Sequence, residues 1–437
     1  MLQRILSLRP RAVWRSRESQ PQAQEVLRLC EALLSERGEV SGGRVAADLI
    51  TAYRALDATG RDAFFDLLAE SFIPDPAEAA RAADAYRAAP SAATLLRLRT
   101  AADPLRQELF RRWNLAPGGT SALVELRRDL LATLKTHPER AALDADLAHL
   151  FRSWFNGGFL TLQRIDWRTS ASVLERLIAY EAVHQIQGWD DLRRRLEADR
   201  RCYAFFHPAL PDDPLIFIEA ALTEHMSDAM RPLLDPRAPV LDPARARAAM
   251  FYSITHCQEG LRGISFGSLL IKQVVEDLKR NLPRIRSFAT ISPIPDFRKW
   301  LGARMAPGAP PLEGALEEFL ARPDSHPLVL TETVPAEVRQ ALLQLCAHYL
   351  VHARDGDVPR DPVARFHLAN GARLERLNWL GDTSAAGIRR SFGLMVNYLY
   401  RLNDLERNHE SYARDHRVIA SRQIEALAGR RAGWKAS

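Results

Sequence analysis

The chain has 437 residues, 47% of them hydrophobic and 26% charged, with a formal net charge of +6. That length supports two or three domains with real cores, and that composition excludes a fibre or a generally disordered chain. The basic residues alternate with acids, as in "DDLRRRLEADRR", so the charge suits an anionic small molecule at least as well as nucleic acid, and with no zinc-finger or Walker spacing beside it no nucleic-acid partner is expected.

No stretch approaches the length of apolar chain a membrane span needs, so no membrane association is expected. Cys30, Cys202, Cys257 and Cys346 form no C-x-x-C pair and read as reduced thiols, and the cysteine and histidine spacings predict no metal cluster. The first twenty residues are acid-poor until Glu18, in the manner of a weak mitochondrial presequence. Arginine is abundant throughout, however, and the expected location is cytoplasmic.

Residues 22 to about 150 read as helix. "VLRLCEALLSERG" and "LITAYRALD" space apolar residues three and four apart, with Gly38 and Gly60 expected at helix ends. Pro76 stands at a first helical position ahead of an Ala- and Glu-rich run. No polar constellation converges here, so the predicted role is scaffold or subunit contact. The predicted boundary divides a helical domain, 1–152, from an α/β domain, 153–437.

Beyond it, Ser172 and Glu175 have capping-box spacing before a helix. "RCYAFFH", "PLIFIEAAL" and "AMFYSIT" read as neighbouring strands. A loop with Gly260, Arg262, Gly263, Gly267 and Ser268 then opens an amphipathic helix, and the strand "IRSFATI" follows. Glycines admit close backbone approach, and a helix start presents unpaired N–H groups, so this loop is a candidate phosphate or pyrophosphate site. A plain tight turn explains the same spacing, which is neither a dinucleotide fingerprint nor a P-loop.

Ser287 to Ile291 predict extended backbone, and Pro293 and Pro295 then bar a regular strand or a helix start at Ile294. Ser292 is thus a hydroxyl held rigidly at a strand end, a placement that turn chemistry alone would also explain. His367 lies in "FHLANGARLERLNWLGD", read as a polar, turn-rich segment in which Asn370, Asn378, Trp379 and Asp382 orient one another. "FGLMVNYLY" is the predicted last strand.

"FYSIT", "GLRGISFGSLLIK", "SFATISPIPDFRKWL", "PVARFHLANGARLERLNWLGD" and "GLMVNYLY" together closely resemble the malonyl-CoA decarboxylase family. The resemblance runs from the first helices to about residue 415. It implies a helical N-terminal domain and a catalytic domain similar to the general N-acetyltransferase fold, with a mixed central sheet. It implies Ser292 and His367 as the catalytic pair, Ser253 and Tyr400 as active-site residues, and tetramers built from dimers. One departure stands out: well-known members carry a glutamate where this chain has Ser265.

The implied reaction turns malonyl-CoA into acetyl-CoA and carbon dioxide. Loss of carbon dioxide leaves an enolate delocalised onto the thioester oxygen, so the thioester is its own electron sink and no further cofactor is expected; coenzyme A belongs to substrate and product. The alternative on the same fold is an acyl-CoA-dependent N-acetyltransferase, which needs an amine site and a general base.

Overall fold

The computed structural model describes residues 21–181, 183–264, 266, 270–303 and 334–429. The chain divides into two compact units. One comprises the residues up to Leu160 with His207–Asp213 and Gln258–Phe266; the other comprises Thr161–Phe206, Pro214–Cys257 and the chain from Gly267 onward. The expected division after residue 152 falls inside the helix Ala141–Trp154.

The first unit is built of helices from Pro21–Leu34 to Ala141–Trp154. Pro76 opens Pro76–Ala88 as predicted, with the Asp75 carboxylate accepting from Ala77 N and Glu78 N. Gly38 and Gly60 do not end helices. Gly38 lies within Glu36–Arg54, and Gly60 sits in the first turn of Ala58–Glu70, where its N–H caps onto Asp57. Capping there outweighs the low helix propensity of glycine. Trp113, Tyr53, Phe64, Phe65, Phe110, Phe151 and Phe155 are fully buried and form the aromatic centre of this unit.

The second unit is built on an eight-stranded sheet. Its strands are β1 (Thr161–Ile165), β2 (Arg200–Phe206), β3 (Ile216–Thr223), β4 (Ala248–His256), β5 (Ser287–Thr290), β6 (Ser292–Pro293), β9 (Arg373–Asn378) and β10 (Met395–Leu399); β7 (Arg354–Asp355) and β8 (Val358–Pro359) pair separately. The order is β1-β2-β3-β4-β5-β10-β6, with β9 also on β10. β1 to β4 are antiparallel neighbours, and for β2 to β4 the hairpin-like spacing predicts this.

β4 and β5 are parallel. The helix Leu270–Asn281 makes the crossover between them and buries Leu270, Ile271, Val274, Val275 and Leu278 along one face. The ladder spans only Ala248–Phe251 against Ser287–Thr290, although β4 continues to His256. The sheet therefore parts along this seam. No helix among the described residues is long and apolar enough to cross a membrane.

The Ser172 capping box is not formed. The helix is Ala171–Tyr180 with Ser170 at its N-cap, which places Ser172 one residue inside it.

Candidate active site

Ser292 lies one residue past β5, after Ile291. After the ladder with β4 ends, Ser292 and Pro293 pair instead with Val396 and Met395 of β10. Pro293 is thus part of a two-residue strand rather than a bar to one. Lacking an N–H, proline is tolerated because β6 is the last strand in the order.

His367 comes from a helix, not a turn. Asp361 accepts from Ala364 N at 2.8 Å and Pro362 fills the first turn, so Pro362–Ala369 is helical and carries His367 in its last turn. The Asp-Pro pair was the signal for this helix; the Asn and Gly residues that follow obscured it.

These elements bring three predicted residues together. Ser292 Oγ lies 3.1 Å from His367 Nε2, and His367 Nδ1 lies 2.7 Å from the Tyr400 hydroxyl. Ser292 also donates to Thr290 Oγ1 at 2.8 Å. With the serine proton directed at Thr290, the imidazole proton belongs on Nε2, facing Ser292, and Nδ1 accepts from Tyr400. The chain of bonds runs Tyr400, His367, Ser292, Thr290. Tyr398 stacks on the imidazole at a centroid distance of 4.5 Å and fixes its plane, while its backbone N–H donates to Thr290 Oγ1.

The cluster is dry. Ser292 is 5% and His367 4% exposed, and burial lowers the His367 pKa to about 3, so the ring is neutral at ordinary pH. Burial likewise holds the Tyr400 phenol well above its usual pKa, so it keeps its proton. Sequence reasoning missed Thr290. The alternation in Thr290-Ile291-Ser292, which puts the two hydroxyls on one face of an extended segment, was the available signal.

Ser253 stands apart from this chain of bonds. Its hydroxyl donates to Glu181 Oε2 at 2.6 Å and lies 3.2 Å from Thr255 Oγ1. Asn378 donates to Asn397, Asn370 to the Phe366 carbonyl, and Trp379 lies under the Arg339 guanidinium. The polar residues around His367 therefore serve separate local contacts rather than one pocket.

The glycine loop lies partly within the described residues. Gly260 is pressed against the helix Gly119–Thr133, where a Cβ would meet the Val124 carbonyl, and Arg127 donates to the carbonyls of Gly260 and Arg262 at 2.7 and 3.0 Å. Gly260 thus has a packing reason to be glycine. Gly263 has φ +78°, which only glycine adopts without strain. Ser265, Gly267 and Ser268 lie outside the described residues.

Among the described residues, Asp66, His137 and Glu139 are the group that could hold a metal ion, and they belong to the helical unit. Arg140 already binds Asp66 at 2.7 Å. The Ser292 cluster offers one imidazole and hydroxyls, a poor donor set for a divalent ion.

Comparison with known proteins bears on this geometry. The model of the malonyl-CoA decarboxylase N-terminal domain matches residues 72–155, and that of the C-terminal domain matches residues 158–436. The chain belongs to the malonyl-CoA decarboxylase family. It is 34% identical to the mitochondrial malonyl-CoA decarboxylase of Anser anser anser over 424 residues, covering 89% of this chain and 84% of the relative. The mouse (Mus musculus) enzyme of the same description is 34% identical over 418 residues, with 87% and 84% covered.

Crystal structures of malonyl-CoA decarboxylases from Rhodopseudomonas palustris and Agrobacterium vitis superpose with TM-scores of 0.85 and 0.84, each at 48% identity. They cover 92% and 93% of this chain, and 99% and 100% of their own. The helical N-terminal region and the mixed sheet with its parallel β4–β5 pair match the architecture of those decarboxylases.

Proposed function

We propose that this protein decarboxylates malonyl-CoA to acetyl-CoA and carbon dioxide, with Ser292 and His367 stabilising and protonating the enolate. The observation that carries this reading is the buried chain Tyr400–His367–Ser292–Thr290, found in a member of this family. Breaking the bond between the α carbon and the carboxylate releases carbon dioxide and leaves the electron pair on the thioester enolate. One proton, ultimately from water, completes the methyl group.

Ser292 turns its proton from Thr290 to the enolate; as it does so it takes the Nε2 proton of His367, whose Nδ1 takes the Tyr400 proton, and water restores the phenol. The thioester itself accepts the electron pair, so the reaction calls on no other cofactor. Malonyl-CoA is the substrate, and the glycine loop, Gly260, Arg262, Gly263, Gly267 and Ser268, is its proposed phosphate-binding segment, with Ser253 lining the acyl site.

The acetyltransferase alternative fits less well. Taking a proton from an ammonium acceptor needs a base effective near neutrality, and His367 at about 3 is too weak.

We further assign residues 1–152 to scaffolding and self-association and residues 153–437 to catalysis, in a tetramer built from dimers. A cytoplasmic location is consistent with the four buried free cysteines. Incubating the purified protein with malonyl-CoA tests the function: acetyl-CoA and carbon dioxide should appear in equal amounts. Malonyl-CoA that remains intact while acetyl-CoA is consumed by an amine would instead support the transferase.

A further inference from the structure

We propose that Glu181 is a positioning residue for Ser253 and that the pair forms a second polarised hydroxyl on the strand across the seam from Ser292; this rests on the decarboxylase reading above. The two serines occupy matching places. The parallel ladder of β4 and β5 ends at the pair Phe251 and Thr290, and each serine is the second residue beyond it. Against β3, the β4 register moves from Ser253 opposite Glu219 to Phe251 opposite Ala220, so Tyr252 is an extra, bulged residue. A bulge of this kind re-aims the side chains beside it.

Each hydroxyl is held by one ionisable side chain from outside the sheet, Ser292 by His367 and Ser253 by Glu181. Glu181 follows the helix Ala171–Tyr180 and is 4% exposed. Its Oε1 accepts from the backbone N–H groups of Val183 and His184, both at 2.8 Å. Its Oε2 accepts from Ser253 at 2.6 Å and from Thr255 at 3.3 Å.

The two backbone bonds stop the carboxylate from turning. Arg195, bound to Glu219 at 2.7 Å, also donates to the His184 carbonyl at 2.7 Å and clamps the segment that carries it. Four donors on one buried carboxylate are more than a loop closure requires.

A carboxylate only accepts, so Ser253 commits its single proton to Glu181 and offers lone pairs elsewhere. Beside it, the His184 ring bonds the Tyr252 backbone and leaves Nε2 buried without a hydrogen-bond partner. The bulge is thus flanked by acceptors, whereas the opposite strand carries Ser292, which gives its proton to Thr290 at rest and turns it to the enolate in the reaction. In this arrangement Ser253 accepts from an amide N–H of the pantetheine arm and so sets the thioester from the β4 side, so that Ser292 meets the enolate as it forms.

Glu181→Gln tests this, because it keeps the size of the side chain and reverses the polarity. The glutamine carbonyl can still accept from Val183 and His184, but its NH₂ then faces Ser253 and forces that hydroxyl to accept. Malonyl-CoA turnover by the full chain should fall about 10-fold or more, with KM and Tm close to the parent. Ser253→Ala should do the same, and the double variant should be no worse than Ser253→Ala alone.

Folded Glu181→Gln that keeps more than half the parent kcat overturns the proposal, as does a double variant that loses the product of the two effects. Should Glu181→Gln fail to fold, Ser253→Ala decides alone, since it leaves both backbone bonds to Glu181 in place; kcat above half the parent value again overturns it. Ser292→Ala assayed alongside separates the two failures. Loss in Ser292→Ala without loss in Glu181→Gln defeats only the Glu181 role, and no loss in either defeats the site.

Discussion

His367 Nδ1 and the Tyr400 hydroxyl lie 2.7 Å apart in a site where the imidazole is neutral and the phenol keeps its proton. Tyr400 therefore fixes which ring nitrogen carries hydrogen, leaving the Nε2 proton for Ser292. Tyr400→Phe removes that bond while keeping the ring that packs on Phe251 at 6.1 Å. We expect kcat to fall about 10- to 100-fold while KM for malonyl-CoA stays within a factor of about two, as for a group acting through the general acid. Steady-state kinetics on the folded variant checks this, and an unchanged kcat would remove Tyr400 from the mechanism.

The depressed pKa of His367 sets the pH behaviour. Folded at about 3 and unfolded near the ordinary 6.5, the ring binds its proton more readily in the unfolded chain. Its contribution to stability is therefore complete above about pH 6.5 and is lost as pH falls toward 3. His184, lowered to about 4 mainly by burial, acts in the same direction. Tm should drop between pH 6.5 and 4, and less steeply in His367→Asn. The kcat/KM profile should show no ionisation of His367 between pH 6 and 9.

Asp361 shows the opposite sign. Burial raises its pKa from 3.8 to about 6, so the carboxyl favours the fold below pH 4 and loses that contribution as pH rises through 6. Asn can accept from Ala364 N as well as Asp does, without a buried charge. Asp361→Asn should match or exceed the parent Tm at pH 7.5, whereas Asp361→Ala should lose about 1 kcal/mol with the cap. Thermal melts of both variants provide the check. A large loss in Asp361→Asn would mean that the ionised form is needed to hold the His367 helix.

Gly260 tests close packing in the helical unit. A methyl group there would run into the Val124 backbone, which cannot swing aside as a side chain can. Gly260→Ala should destabilise the protein by about 1–3 kcal/mol, as overpacking does. Gly302→Ala, where a Cβ meets open space, should stay within about 0.5 kcal/mol. Denaturant unfolding of the two variants side by side shows whether the contact exists.

The site was legible where chemistry and backbone rules fall on adjacent residues. Ser292 was marked by the prolines after it, and β2 to β5 and β10 by their apolar, β-branched and aromatic runs. β1 and β9 were missed because "TLQRI" and "RLERLN" mix charged or amide side chains into the alternation, as expected of strands whose faces are only partly buried. The helix of His367 was missed because a single Asp-Pro start was outweighed by the Asn-Gly pair at its end. Contacts between distant residues left no local trace: Arg127 holds the Gly260 carbonyl across 133 positions, and Glu181 reaches Ser253 across 72. No spacing rule connects such pairs; only the folded sheet and helices do.

The central claim is that Ser292 supplies the hydrogen bond or proton that matters in the transition state. Its most direct measurement is kcat for malonyl-CoA in Ser292→Ala, His367→Asn and the double variant, with coenzyme A affinity measured in parallel. We predict a fall of about 10²–10⁴ in kcat for each single variant, with little change in binding, and a double variant far less impaired than the product of the two. Folded single variants that each keep more than about half the parent kcat would contradict the account and leave Ser292 as a strand-end residue.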